Sequence, residues 1–431
     1  MPWRTLAGIL GVAVFLGALA SPRWRALGYL PAHVAVDVGD RVRVGDRLPP
    51  QLRVRLRGPV PTGAGAPWHA LGRDGHLDLR PDRTGRYFVT VGAFGVPLRT
   101  VAVDAVRPVR VVPGGQSIAI RVRTSGLLVV GRDGPRLPWG VGSALGPGDR
   151  IVAAEDRAVV GEAALRSAVE RAGRRGSALH LAVVRDGRVE ALAVRPRFDP
   201  VQGRYRLGVR VRQGLTGIGT LSFYDPSTGA YGALGHRIQD GWNGQAVPVA
   251  GGTIGSAPIL GVRRGFAGRP GEKIGRVAPG AAWGVVRGSG AYGIFGRMGW
   301  RAAQPLAMPL ATADQVHVGS AEMRTVVRGE RVERFRIRIE RIDRSAPGGR
   351  ALVVRVIDPG LVARTGGIVQ GMSGSPIVQD GRLAGVLTHV LVSDSTRGYG
   401  IFAAWMWSEA TTAVRETDVS RDRHQATLRA G

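Results

Sequence analysis

Hydrophobic and polar residues alternate along most of the chain, and the alternation comes in short runs separated by glycine and proline. Val34–Val38, Gln51–Leu56, Gly85–Phe94 and Pro97–Val103 each place apolar side chains at every second position, as a half-buried strand requires. In Arg53–Arg57 and Arg334–Arg338 the polar member of the alternation is arginine, so these charges form the solvated face of strands. Glu162–Ala172 has instead a helical period, with Leu165 and Val169 spaced i, i+4. The pattern predicts a mainly β, multidomain protein. Residues 34–104 read as a small β-sandwich-like domain with nothing catalytic in it, since His33, His69 and His76 fall in loop-like surroundings without metal-ligand spacing.

The two ends differ from this pattern. Arg4 precedes an uncharged run from Thr5 to Pro22 whose apolar part, Leu6–Ala20, is borderline for a membrane span of about 20 residues. Ala18-Leu19-Ala20 offers a small-residue cleavage site before Ser21. Residues 1–23 are therefore expected to be an export signal peptide or a membrane anchor, with the bulk of the protein outside the cytoplasm. Residues 416–431 are polar and read as a mobile tail.

Composition narrows the function classes. The 66 glycines and 27 prolines suit short strands and tight turns, and exclude a long coiled coil. The net charge of +28 would suggest nucleic acid, but Lys273 is the only lysine among 60 basic residues, and the arginines are spread over the whole chain. That use of arginine reads first as a GC-rich genome, and nucleic-acid binding is not expected. A positive surface also suits work close to anionic lipid headgroups. With no cysteine there is no disulfide, thiolate zinc site or cysteine nucleophile, so any nucleophile is an oxygen. No metal or cofactor is expected.

Residues 105–198 carry a specific order of elements: a strand at Ser117–Val122, an apolar Gly-containing loop at Ser125–Gly131, the phrase Leu145-Gly-Pro-Gly-Asp-Arg-Ile151, then the helix. This order resembles a PDZ domain. In that reading the backbone amides of Gly126, Leu127 and Leu128 hold a peptide carboxylate, and Leu165 and Val169 line the groove for an added peptide strand. Ordinary core packing explains Leu165 and Val169 equally well.

Residues 200–415 contain the chemistry. Gly371-Met-Ser-Gly-Ser-Pro376 precedes a strand, an Asp380-Gly381 turn and a second strand, which is how chymotrypsin-like proteases present their nucleophile. Glycines flanking a serine let the backbone turn sharply and aim the amides of Gly371 and Ser373 at the oxygen of a tetrahedral intermediate. Ser373 is preferred over Ser375 as nucleophile because it alone has glycine at the next position and Gly-x before it. Among the eight histidines His236, at the end of an apolar strand beside glycines, is the best general base. His180 reads as a strand histidine, His317 as a loop residue and His424 as part of the tail. His389 falls on the strand that walls the specificity pocket in this arrangement, either touching substrate or sitting in the core. Asp240, Asp314, Asp343 and Asp358 all lie between His236 and Ser373, and spacing alone does not choose. Asp358 is favoured because it ends an apolar strand and is fixed by Pro359.

From about residue 85 onward the chain resembles the stage IV sporulation protein B (SpoIVB) peptidases of endospore-forming bacteria. The stretches that carry the resemblance are Val112–Ile118, Ser125–Gly131, Gly232–His236, Thr365–Pro376, Thr388–Val390 and Gly398–Gly400. The resemblance implies a PDZ domain ahead of a chymotrypsin-like double β-barrel, with His236, Asp358 and Ser373 at the catalytic positions. It also implies a protease made in the forespore and exported to the intermembrane space. There it cleaves itself, then a membrane-bound regulator of an intramembrane metalloprotease, leading to activation of the late mother-cell sigma factor. An envelope quality-control protease is the nearest rival, although its PDZ domain usually follows the protease domain. A non-catalytic peptide-binding protein is the rival from another class.

Overall fold

The computed structural model describes residues 22–59, 67–71, 74–132, 145–239, 244–278, 280–299, 306–346 and 348–413. All but the last two residues of the expected signal segment, and the whole of the expected tail, lie outside them, as do Asp240 and His424. Among the described residues no helix is long and apolar enough to cross a membrane. The chain divides into two compact units, Met1–Val109 and Arg110–Gly431.

In the first unit His33–Asp37 runs parallel to Val96–Val106, which continues through Gly85–Ala93 and Arg53–Arg57 to His69–Ala70. A second, two-stranded sheet joins Val42–Gly45 to Leu77–Leu79. The inward residues of the alternation, among them Val36, Val89, Val91, Val101 and Val103, form its apolar core. The outward residues carry charge, and Arg86 and His33 converge on Asp104.

The second unit is built around one long strand pair. β1 (Ser117–Arg132) leads into β2 (Arg150–Ala154), helix α1 (Glu162–Arg174) and the hairpin β3 (Leu179–Arg185) to β4 (Arg188–Val194). The hairpin turns at Asp186-Gly187, both residues at positive φ, as a two-residue turn between twisted strands demands. The chain then returns along β5 (Val209–Tyr224), antiparallel to β1 from Arg132 to Ser117. Next come β6 (Ala230–Leu234), β7 (Val249–Ser256), the ribbon of β8 (Ile259–Arg263) and β9 (Glu272–Gly275), β10 (Gly284–Gly290) and β11 (Gly293–Met298). The ring β1, β7, β10, β11, β6, β5 closes on itself through the β5–β1 pairing, giving one six-stranded barrel.

A second barrel follows, ordered β12 (Gly319–Val326), β13 (Val332–Ile342), β14 (Leu352–Val356), β17 (Asp394–Phe402), β16 (Arg382–Leu391), β15 (Pro376–Gln379). Its six strands also close, so neither barrel leaves an open sheet edge. The short helix α2 (Pro359–Thr365) follows β14. A last helix, residues 403–413, packs Met406 and Ala410 against Phe223 and Phe295 of the first barrel and Val386 and Ile401 of the second. The chain is thus mainly β, with a double β-barrel.

The structure corrects the expected boundary between residues 105–198 and 200–415. Ser117–Val122 is a barrel stave, paired with β5 on one side and β7 on the other. Gly126–Leu128 lies within the same continuous strand rather than in a loop. Register shifts on β5 between Arg210 and Val211, and between Arg212 and Gly214, let the pair bend from one sheet into the next. Sequence alternation cannot show that one strand serves two layers.

Where the sequence reading expects an added peptide strand, the chain supplies a strand of its own. Val209–Arg212 of β5 pairs antiparallel with Leu128–Arg132, where an added peptide strand would lie. Leu165 and Val169 are buried in the core of this part, and Tyr205, Leu207, Val209 and Val211 pack against that core. Tyr205 is so close to α1 that a Cβ on Gly173 would meet its ring at 2.2 Å. The Tyr205 N–H donates to Glu170 Oε2 at 3.1 Å, and Gln213 donates to the Val160 carbonyl. Gly126, at φ +90°, leaves no room for a side chain, because a Cβ would lie 2.4 Å from the Ile151 carbonyl oxygen. The groove's backbone partners are therefore supplied by the chain itself. Hydrogen exchange is expected to be slow at the amides that Val209–Arg212 share with Leu128–Arg132, and to quicken there in Gly173→Val, which expels the Tyr205 ring. Fast exchange in the unsubstituted chain would mean that the groove is open in solution.

Candidate active site

The turn Gly371–Ser375 lies where the two barrels meet. Gly371 and Gly374 adopt φ of +90° and +98°, a region that L side chains avoid. Gly374 is also sterically required, since a Cβ there would lie 2.1 Å from the Thr220 carbonyl oxygen and 2.7 Å from Leu234 N. Thr220 of β5 fastens the turn twice, its N–H donating to the Ser373 carbonyl at 3.0 Å and its hydroxyl to the Gly371 carbonyl at 2.8 Å.

The amides within the turn divide into two groups. Met372, Gly374 and Ser375 donate to the carbonyls of Val369, Leu387 and Met372. The N–H groups of Gly371 and Ser373 have no acceptor among the described residues. Two unused donors flanking one serine are what an oxyanion site needs, because they remain available for charge that develops during reaction. The Ser373 hydroxyl donates to the Thr388 carbonyl at 2.7 Å, which places it against β16.

His236 reaches the same place from the first barrel. Leu234 and Gly235, at φ +77° and +75°, turn the chain sharply off β6. Gly235 then rests on β16, where a Cβ would lie 2.8 Å from the Leu387 carbonyl oxygen. The imidazole of His236 stacks on that of His389, the ring centroids 4.7 Å apart and the planes tilted by 34°. His236 Nδ1 lies 2.9 Å from the Arg237 carbonyl oxygen. A carbonyl only accepts, so Nδ1 carries the proton and Nε2 presents a lone pair. Burial holds the His236 pKa below the ordinary imidazole value. Burial, followed by the charges of His236 and Arg350, pushes His389 down to about 4. Both rings are neutral at neutral pH, as a proton acceptor must be.

The structure brings together Ser373, His236, His389 and the amides of Gly371 and Ser373. It does not bring Asp358 to them. Asp358 is the N-cap of α2, its Oδ1 accepting from the N–H groups of Gly360 at 2.9 Å and Leu361 at 3.1 Å. Its Oδ2 accepts from Arg336 N at 3.3 Å. The Asp-Pro-Gly sequence that suggested a rigid strand end is a helix start, with the carboxylate turned to the free amides of the first turn. Among the described residues His33, His76 and His317 pair with carboxylates, whereas neither His236 nor His389 does. His389 keeps part of its surface open to solvent while its ring packs on His236, so the core reading of that residue is also corrected.

Residues 203–407 match the family described as SpoIVB peptidase S55. The chain carries a SpoIVB peptidase S55 domain. That family implies a serine peptidase, and the matched residues include both β5 and the whole second barrel. No curated protein matches the chain.

Sequence reasoning missed Lys273 as part of this site. Its aliphatic stem lies beneath Gly371, and its being the single lysine of the chain was the available signal.

Two measurements follow from the placement of these groups. Asp358→Ala is expected to cost about 1 kcal/mol of stability and Asp358→Asn much less, since asparagine also caps; thermal unfolding of the pair decides whether the cap is the main thing the carboxylate does for stability. For His389, the unfolded chain takes a proton near pH 6.5, whereas the folded chain resists it down to about 4. Stability should be undiminished above that window and fall as the pH drops through it. Urea midpoints at pH 7 and pH 5 should separate more for the unsubstituted protein than for His389→Gln.

Proposed function

We propose that the protein is an exported serine endopeptidase of the SpoIVB type, with Ser373 as nucleophile and His236 as general base. The observation that carries this reading is the pair of unused Gly371 and Ser373 amides flanking a serine hydroxyl, with a neutral imidazole brought in from the other barrel.

In the proposed reaction His236 Nε2 takes the Ser373 hydroxyl proton as Oγ bonds to the scissile carbonyl carbon. The carbonyl oxygen, now carrying the negative charge, accepts from Gly371 N–H and Ser373 N–H. The imidazolium returns its proton to the leaving amine as the C–N bond breaks, and water then releases the acyl group by the same sequence. The Arg237 carbonyl keeps His236 in the required tautomer, the part that a carboxylate has in other triads. The Ser373 hydroxyl must leave the Thr388 carbonyl to meet the imidazole, so this arrangement is the resting one. His389 flanks the site on the strand that walls the specificity pocket in chymotrypsin-like enzymes, which makes it the proposed substrate contact.

The role that fits the family is signalling during endospore formation. The peptidase would cleave itself and then a membrane-bound regulator of an intramembrane metalloprotease, in the space between the two membranes around the forespore. The filled groove argues that this protease does not dock a partner's terminus while Val209–Arg212 is in place. Incubation of the full chain beside Ser373→Ala tests the reading, with fragments followed by intact mass. The unsubstituted chain should shorten at defined bonds and Ser373→Ala should stay whole; His236→Ala should slow the cleavage by at least about a hundredfold. Equal cleavage of both chains, or of neither in the presence of a candidate substrate, would return the peptide-binding alternative.

A further inference from the structure

Lys273 is an isolated cation at the seam of the two barrels. The residue is 6% exposed, and among the described residues its ammonium has three partners, all hydroxyls: Thr325 Oγ1 at 2.9 Å, Ser117 Oγ at 3.2 Å and Thr220 Oγ1 at 3.5 Å. These come from β12 of the second barrel and from β1 and β5 of the first. The charged residues nearest in sequence to Lys273 and Thr325 are engaged elsewhere, Glu272 with Arg263 and Arg324 with Glu322. A buried cation with no carboxylate partner among the described residues is costly to keep, and burial lowers the Lys273 pKa to about 7.

The position also excludes the residue used everywhere else in the chain. Of 60 basic residues only this one is lysine, so the general drift to arginine stops at a single site. The physical reason lies in the partner set. An ammonium offers three donors, matching three hydroxyls, and can shed its proton when buried; a guanidinium is planar, larger and permanently charged.

Lys273 also underlies the nucleophile turn. Its backbone N–H donates to the Gln370 carbonyl at 2.9 Å, and a Cβ on Gly371 would lie 3.2 Å from both Cβ and Cδ of Lys273. The same Thr220 hydroxyl that meets the ammonium donates to the Gly371 carbonyl, while Thr220 N–H holds the Ser373 carbonyl. We propose that Lys273 is a positioning residue of the peptidase site, acting through Thr220 to hold the Gly371 and Ser373 amides in the orientation that receives the oxyanion. This deepens the serine-peptidase reading and rests on it. The lysine touches no reacting atom. It fixes the hydroxyl that fixes the turn, and it joins the two barrels at the point where their groups must meet.

The test is the rate at which a fluorophosphonate, whose tetrahedral oxygen enters the same oxyanion site, labels Ser373 in the full chain. Lys273→Met fills the space without a charge, and should lower the saturating labelling rate by about 10²–10³-fold while the reagent concentration for half-saturation hardly moves. Its unfolding temperature should be equal to or above that of the unsubstituted chain, because an apolar side chain replaces an unpaired buried cation. Lys273→Arg should not restore the rate. If Lys273→Met lowers the unfolding temperature so far that the chain does not fold, Thr220→Val answers the same question, since it keeps the lysine and removes the hydroxyl on Gly371; at least a tenfold loss is expected, on the order of one lost oxyanion-site contact. Labelling of either folded variant as fast as the unsubstituted chain overturns the proposal. Absence of labelling at Ser373 in the unsubstituted chain instead overturns the peptidase reading itself, and the proposal with it.

Discussion

The pairing of β1 with β5 is the interaction on which the rest of the second unit depends. Each strand is 16 residues long, and together they run from the helix-and-hairpin part into the first barrel. Without this pairing the first barrel is an open sheet with two exposed edges. At one end, Val209–Arg212 fills the groove beside α1; at the other, Thr220 holds the carbonyls of Gly371 and Ser373. A single strand therefore closes the groove, completes the barrel and anchors the nucleophile turn. The family match begins at residue 203 and leaves out β1, although the barrel inside the matched region cannot close without it.

How much of this was legible in the sequence depended on the range of the interactions. Local signals were read well. The Asp380-Gly381 turn, with both residues at positive φ, joins β15 to β16 as expected, and the helix around Leu165 and Val169 forms where the i, i+4 spacing placed it. The Gly-x-Ser-Gly turn was readable because its glycines meet steric demands that no other residue satisfies. What failed was non-local. Nothing in Ser117–Arg132 marks where it passes from one sheet to the next, and nothing in Val209–Arg212 marks it as the occupant of a groove. Asp358 shows the ambiguity at its smallest scale. An aspartate before proline at a strand end suits both an orienting acid and a helix cap, and only the free amides of Gly360 and Leu361 distinguish them.

The site also shows where polar groups are kept inside an apolar frame. The barrel cores are built from valine, isoleucine, leucine and phenylalanine, and the residues between them at the seam are Ser117, Thr220, Thr325 and Lys273, all buried. Packing alone would favour hydrocarbon there. The hydrogen bonds that Thr220 directs to the Gly371 and Ser373 carbonyls give the nucleophile turn a defined geometry that apolar contacts, being non-directional, cannot supply. Stability and chemistry thus draw on different residues within a few strands of each other.

The long strand pair has a consequence in time as well as in space. β1 is synthesised well before β5, with a complete helix and hairpin in between, so its barrel half emerges from the ribosome without its partner. The helix-and-hairpin part can gather its own core around Leu127, Ile151 and Leu181 while the Ser117–Val122 half waits as an unpaired apolar strand. Catalytic competence therefore comes late in the life of the chain. The serine, the imidazole and the amides that serve them come together only after a strand made early has been held open for one made later, so a truncated or stalled product carries no assembled protease.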